Sequence, residues 1–334
     1  SPTKDITKKP RTLYAAGAFN LDSKKLPKAL TLRAGPGWTP TIVPPVKEAQ
    51  VTVVQPGLET LRKAINNAVS GSTLMLETGE YFLEKKIKVT KDITIIGDIG
   101  GATIIAANKN IAKPIDYLFR VEEDVTFKLS HVFIDGKNSN LKYAIVSPDK
   151  LQGAGYNLFV DTVVFQNFKN KKGGSVFKAY NGTKADTLSF VNSRFENNYR
   201  GLNLSYDNKN SGMFNANFII VKNSVFKNIE ESAINYVRKI PNNMISGGDL
   251  LVENCVFYNV DNREKGKIIK ADGIHRVKIV NSVFDNSYKI KTPIALKGMS
   301  QQISNCLINN SGFIKISQGA SKSDLLYRAR NRYY

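Results

Sequence analysis

The chain has 334 residues, 42% of them hydrophobic, with 48 lysines and arginines against 28 acidic residues and a net charge of +20 at pH 7. That hydrophobic share excludes a disordered polycation, and the sequence holds no 18-residue apolar run of the kind a transmembrane helix needs. So positive a surface implies an anionic partner: an acidic polysaccharide, a nucleic acid or an anionic membrane.

Residues 1–50 carry seven of the twelve prolines and nine lysines or arginines, and read as an extended arm or the remnant of a preceding module. From Pro56 to Ala68, the apolar residues Leu58, Leu61, Ala64, Ile65 and Ala68 follow the helical period, which predicts a short amphipathic helix ending near Gly71. Runs of β-forming residues follow at Thr73–Leu76, Ile87–Val89, Ile93–Gly97 and Ala102–Ile105.

Further along, one phrase keeps returning: a small polar pair, a variable residue, Phe, another variable residue, then Asn. It spans Asn192–Asn197, Asn223–Asn228, Asn254–Asn259 and Asn281–Asn286, with looser copies at Asp161–Asn167 and Asn305–Asn310. Phe165, Phe195, Phe226, Phe257, Phe284 and Ile308 hold its aromatic slot at intervals of 30, 31, 31, 27 and 24 residues. A β-rich unit of this length, with Asn, Gly and Asp at its turns, predicts one coil of a β-solenoid of roughly ten turns, each coil burying its apolar face against the next.

In that fold the Phe residues form an interior stack. Asn167, Asn197, Asn228, Asn259 and Asn286 form a polar ladder at a left-handed bend, a geometry that Asn tolerates. The helix covers the unpaired edges of the first coil. The expected organisation is an arm over 1–50, a solenoid over 51–320 and a basic, aromatic tail over 321–334. Cys255 and Cys306 share a slot otherwise held by Ser or Thr, two coils apart. At about 4.8 Å per coil they lie about 9.6 Å apart, beyond disulfide reach, and so read as small buried residues.

The strand after each Phe phrase supplies a candidate surface. Alternation sends apolar members inward and places Lys178, Asn203, Asn235, Lys270, Lys297 and Lys315 in an outward column, with Tyr180, Tyr206 and Arg238 close by. Lysines give point charges for sulfate or carboxylate, asparagines bond hydroxyls and tyrosine faces stack on sugar rings. Lysines also solvate β surfaces and discourage edge pairing, so the reading rests on the column as a whole and on the net charge behind it.

The helix, followed by Gly71–Tyr81 and Ile93–Gly97, resembles the opening of the right-handed parallel β-helix proteins of the pectate-lyase-like superfamily. The later phrases resemble the chondroitinase B and alginate lyase branch, and especially the surface glycan-binding modules of Gram-negative polysaccharide-utilisation systems, including those that bind heparin or heparan sulfate. The resemblance covers about residues 51–320. It implies non-catalytic binding of a sulfated polysaccharide outside the cell, on a lipid-anchored monomer that serves an outer-membrane glycan-import complex and needs no cofactor.

The lyase branch implies a rival reading, with a Lys base, an Arg acid and carboxylates holding calcium at the uronate. Lys270 and Arg238 fill the first two roles, and Glu230 and Glu231 are the adjacent acidic pair. That branch's Glu-x-Glu spacing is missing, however, and a solvated turn suits Glu230 and Glu231 better, so no metal site is expected. Hydrolysis by paired carboxylates is disfavoured because only Asp272 lies on the column. His131 and His275 stand beside no nucleophile, and no nucleic-acid reading motif is present.

Overall fold

A computed structural model describes residues 49–109, 113–137, 141–149, 154–180, 182–204, 216–237, 248–261, 266–287, 294–311, 315–318, 326–329 and 332–333. The chain divides into two compact units, Ser1–Lys47 and Glu48–Tyr334. The expected N-terminal arm lies almost wholly outside the described residues. The second unit is a right-handed parallel β-helix.

Each coil carries three strands, as in Ala185–Val191, Arg194–Glu196 and Arg200–Leu204, then Ala216–Lys222, Val225–Ile229 and Ser232–Val237. Second strands form an 11-stranded parallel sheet, so at least eleven coils are wound. First and third strands form the other sheet and become continuous in Ile269–Val280 and Ile294–Ser304. With the loop between them gone, these coils shorten, which explains the late intervals of 27 and 24 residues.

The interior is a single apolar column. Ring centroids in the Phe165, Phe195, Phe226, Phe257, Phe284 series are spaced 5.3, 4.3, 5.0 and 4.8 Å, all stacked. The stack follows from register, since Phe195, Phe226 and Phe257 are backbone partners across adjacent coils.

Both corners flanking the second strand are left-handed. The expected ladder residues Asn167, Asn197, Asn228, Asn259 and Asn286 have φ of 66°, 53°, 55°, 54° and 52°. A second set, Asn192, Asn223, Asn254, Asn281 and Asn305, has φ of 51°, 50°, 54°, 52° and 54°. In each set the later coil donates to the earlier. Asn228 Nδ2 bonds Asn197 Oδ1 at 3.1 Å and Asn259 bonds Asn228 at 2.7 Å. Likewise Asn223 bonds Asn192 at 3.1 Å and Asn254 bonds Asn223 at 3.3 Å. The second run ends on a carboxylate, Asn192 donating to Asp161 at 2.8 Å, and on the first corner Asn167 donates to Asp135 at 2.9 Å.

Beside the second ladder, the shared slot is turned inward. The Ser193 amide donates to Ser224 Oγ at 3.1 Å, and the Cys255 amide to Ser282 Oγ at 3.1 Å. Cys255 and Cys306 are free and buried, and burial pushes the Cys255 thiol up to about 11.

The helix is Thr60–Asn67, shorter than its apolar period because Gly57–Leu58 joins the second-strand sheet. Leu61 and Ile65 are buried beneath it. Within the span expected as a tail, Leu326–Ala329 pairs with 301–304, and Arg332–Tyr333 with Leu307 and Ile308. Among the described residues no helix is long and apolar enough to cross a membrane.

Candidate functional site

Third strands lie in register, so backbone pairing sets the order of their outward side chains. Lys88 pairs with Arg120, then Val146, Lys178, Asn203, Asn235, Lys270, Ala295 and Lys315 follow in turn. The expected sequence Lys178, Asn203, Asn235, Lys270 is thus one column, and the Lys315 backbone continues it. Lys297 is the exception, because it pairs with Asp272, two residues along, while Ala295 takes its slot. Tyr206 and Arg238 lie outside the described residues.

The centre of the column is less open than an exposed stripe. Asn203 is only 2% exposed, and Asn235 Nδ2 donates to its Oδ1 at 3.5 Å. A buried amide step therefore separates Lys178 from exposed Lys270.

Toward the early coils the same face becomes a shelf of tyrosine and arginine that sequence reasoning missed, Tyr180 excepted. Arg120 Nε donates to the Tyr117 hydroxyl at 3.0 Å, and Nη1 lies 2.5 Å from the Asp149 carboxylate. Lys86 Nζ stands over the Tyr117 ring, 4.9 Å from its centroid. The Tyr143 and Tyr180 rings meet edge to face at 6.5 Å. Leu118, Ala144, Val146 and Val176 alternate with the inward Phe119, Ile145 and Phe177, yet all four are fully buried. The outer side of this sheet thus has a covered layer, an environment in which charge and phenol protons are strongly perturbed.

Burial works against the Arg120 charge, but the Tyr117 hydroxyl and Asp149 carboxylate outweigh it and hold the guanidinium more firmly protonated. Burial raises the phenols of Tyr117 and Tyr143. It pushes Tyr180 up to about 12, with Tyr143 beside it adding to the effect. Glu122 is also raised by burial, against the pull of Arg120.

One coil on, Glu231 is not in a solvated turn. Its Oε1 accepts from Arg200 Nε at 2.7 Å and lies 2.6 Å from Nη2, both side chains being mostly buried. Arg200 also faces the Tyr199 ring at 5.0 Å. His131 sits at a left-handed corner with φ of 56° and its buried Nδ1 has no hydrogen-bond partner among the described residues, whereas His275 Nδ1 lies 3.3 Å from Asp249 Oδ1. Among the described residues, no three His, Cys, Asp or Glu side chains converge to hold a metal ion.

No family model matches the chain and no curated protein matches it. Solved structures do match. The PL6 family alginate lyase AlyGC aligns with a TM-score of 0.73 and 20% identity, over 89% of this chain and 42% of that one. An arginine-to-alanine variant of that enzyme aligns with a TM-score of 0.68 and 18% identity over the same shares. This chain therefore spans less than half the length of the enzyme it matches. At such identity the likeness establishes the parallel β-helix fold.

Proposed function

We propose that the chain acts on an acidic polysaccharide laid against the partly exposed Tyr143, Lys178 and Tyr180, at the edge of the covered layer that holds Tyr117 and Arg120, and that it cleaves this polymer by β-elimination. The carrying observation is the shelf of Tyr117, Arg120, Tyr143, Lys178 and Tyr180 on three successive coils of a fold shared with an alginate lyase. Elimination from a uronate needs its carboxylate neutralised, its C5 proton removed and its leaving oxygen protonated. Lys178, as the neutral amine, is assigned the C5 proton, and Arg120, held by Asp149, is the cation set nearest the carboxylate. Tyr180 is assigned the last: burial keeps its phenol protonated at the expense of donor strength, and its ring offers a stacking surface. Lys270, the base expected from the sequence, lies three strand steps from Lys178, roughly 14 Å, and so serves a different sugar unit.

Retention without cleavage, on a sulfated chain such as heparin at a cell surface, is the second reading. It is favoured by the carboxylates nearest the shelf, which are already committed: Asp149 and Glu122 to Arg120, and Glu231 to Arg200. Incubation with alginate, chondroitin sulfate and heparin, with and without calcium, separates the readings. Growth of unsaturated-uronate absorbance that Tyr180→Phe abolishes supports elimination. Saturable, salt-sensitive binding without such growth supports retention, and neither binding nor growth overturns both.

A further inference from the structure

We infer that the corner between second and third strands, beside the shelf, holds a separate anion site whose ligand is a sulfate ester carried by the glycan. A cleft of about 970 Å³ opens there, lined by Lys137, Lys142, Lys169, Lys171 and Lys172, with Asp116 as the single lining carboxylate among the described residues. Stacking gathers these lysines. Lys137 follows the second strand of one coil, Lys169, Lys171 and Lys172 follow that of the next, and Lys142 immediately precedes the third strand Tyr143–Val146.

The walls are fixed by local bonds. The Lys137 amide donates to Asp135 Oδ1 at 2.9 Å, the Lys172 amide to Asn170 Oδ1 at 2.9 Å and the Gly174 amide to the Asn170 carbonyl at 2.8 Å. Five ammonium groups facing one cleft repel each other unless an anion shares the space. The kind of cation selects the anion. Among the described lining residues the cations are all lysines, and their separate ammonium groups suit a tetrahedral sulfate, which accepts from many directions, without supplying the bidentate fork of a guanidinium.

Cleft and shelf are continuous. Asp116 and Lys142 on the cleft directly precede Tyr117 and Tyr143, and Arg200 Nη1 lies 4.0 Å from the position a Cβ on Gly173 would take. A polymer on the shelf thus places its substituents over the lysines. The inference rests on the polysaccharide reading and adds the substituent's chemistry.

The test compares the whole chain with a Lys169→Ala, Lys171→Ala, Lys172→Ala variant and a milder Lys171→Gln variant, each confirmed folded by circular dichroism. Ligands are heparin, fully desulfated heparin, alginate and inorganic sulfate at two salt concentrations. The expected result is heparin binding about ten-fold tighter than its desulfated form, with that preference lost in the triple variant while alginate affinity stays within about two-fold. Lys171→Gln should lose part of the preference. Equal binding of the two heparins, or a preference that survives in both variants, overturns the sulfate site and leaves the polysaccharide reading standing. Inorganic sulfate binding as tightly as heparin overturns the ester assignment in favour of a free anion. Binding of none of the glycans overturns the site and the underlying reading together.

Discussion

The Arg200–Glu231 pair decides how the shelf is charged, and a double-mutant cycle measures it. Its closest approaches are 2.6 and 2.7 Å, with side chains 21% and 17% exposed. Unit charges about 4 Å apart at an effective dielectric near 20 interact by about 4 kcal/mol, and desolvation of both groups consumes part of this. Arg200→Met, Glu231→Gln and the double variant should therefore show a coupling of about 1–3 kcal/mol in urea denaturation. Arg200→Met is the most damaging single change, about 3 kcal/mol, because it strands a mostly buried carboxylate. Glycan affinity should move in opposite directions. Glu231→Gln removes a negative charge and releases a guanidinium; at about 8 Å and a dielectric near 40 that amounts to about 1 kcal/mol, a roughly five-fold gain for an acidic polymer. Arg200→Met should weaken binding by a similar factor. Coupling below about 0.5 kcal/mol, or shifts of the same sign in both single variants, refutes the reasoning.

Phe226 is fully buried between Phe195 and Phe257. Phe226→Ala should cost about 4–5 kcal/mol and Phe226→Leu about 1–2 kcal/mol in denaturant titrations; a Phe226→Leu cost as large as that of Phe226→Ala would refute the reading that apolar volume, rather than the ring itself, holds the coils. Asn228 has φ of 55° and two ladder bonds, so Asn228→Ala loses both amide bonds and adds left-handed strain. Asn228→Gly escapes the strain and should unfold about 1 kcal/mol later, an ordering that reverses if strain is absent. Burial pushes the Tyr81 phenol from 10.0 up to about 12. Its stabilisation is complete below pH 10 and is lost as pH rises through 12. Tyr81→Phe loses the hydroxyl bonds to the Val54 and Glu77 carbonyls, yet its stability should fall less steeply between pH 10 and 12; parallel curves for wild type and variant refute this.

The winding was legible because the Phe slot is both buried and periodic, and a side chain that must stack leaves its interval in the sequence. The ladder at Asn197 and Asn228 was legible for a similar reason, since few residues tolerate that corner. The matching role of Asn192 and Asn223 was hidden, because their place in the phrase reads only as one half of a small polar pair. Lys297 shows the limit of alternation. Period two admits both Ala295 and Lys297 as outward-facing, and only the pairing with Lys270 and Asp272 distinguishes them. The lysine cleft was harder still, as Lys137, Lys142 and Lys169 stand in corners that have no period, and only the stacking of coils makes them neighbours. The run Lys169-Asn170-Lys171-Lys172 was its one visible trace.

The one-way amide ladders have an electrical consequence. Carboxamides aligned head to tail sum their dipoles along the winding axis, as peptide groups do along an α-helix, with the positive pole at the donor end. At that pole Asp161 terminates one run, as an acidic side chain does at a helix amino terminus, and Asp135 accepts from Asn167 on the other corner. Those carboxylates lie on the coils that carry Tyr143 and Lys178. The full negative charge of each carboxylate outweighs that partial positive pole, so the polarity of the amide ladder is closed within the scaffold.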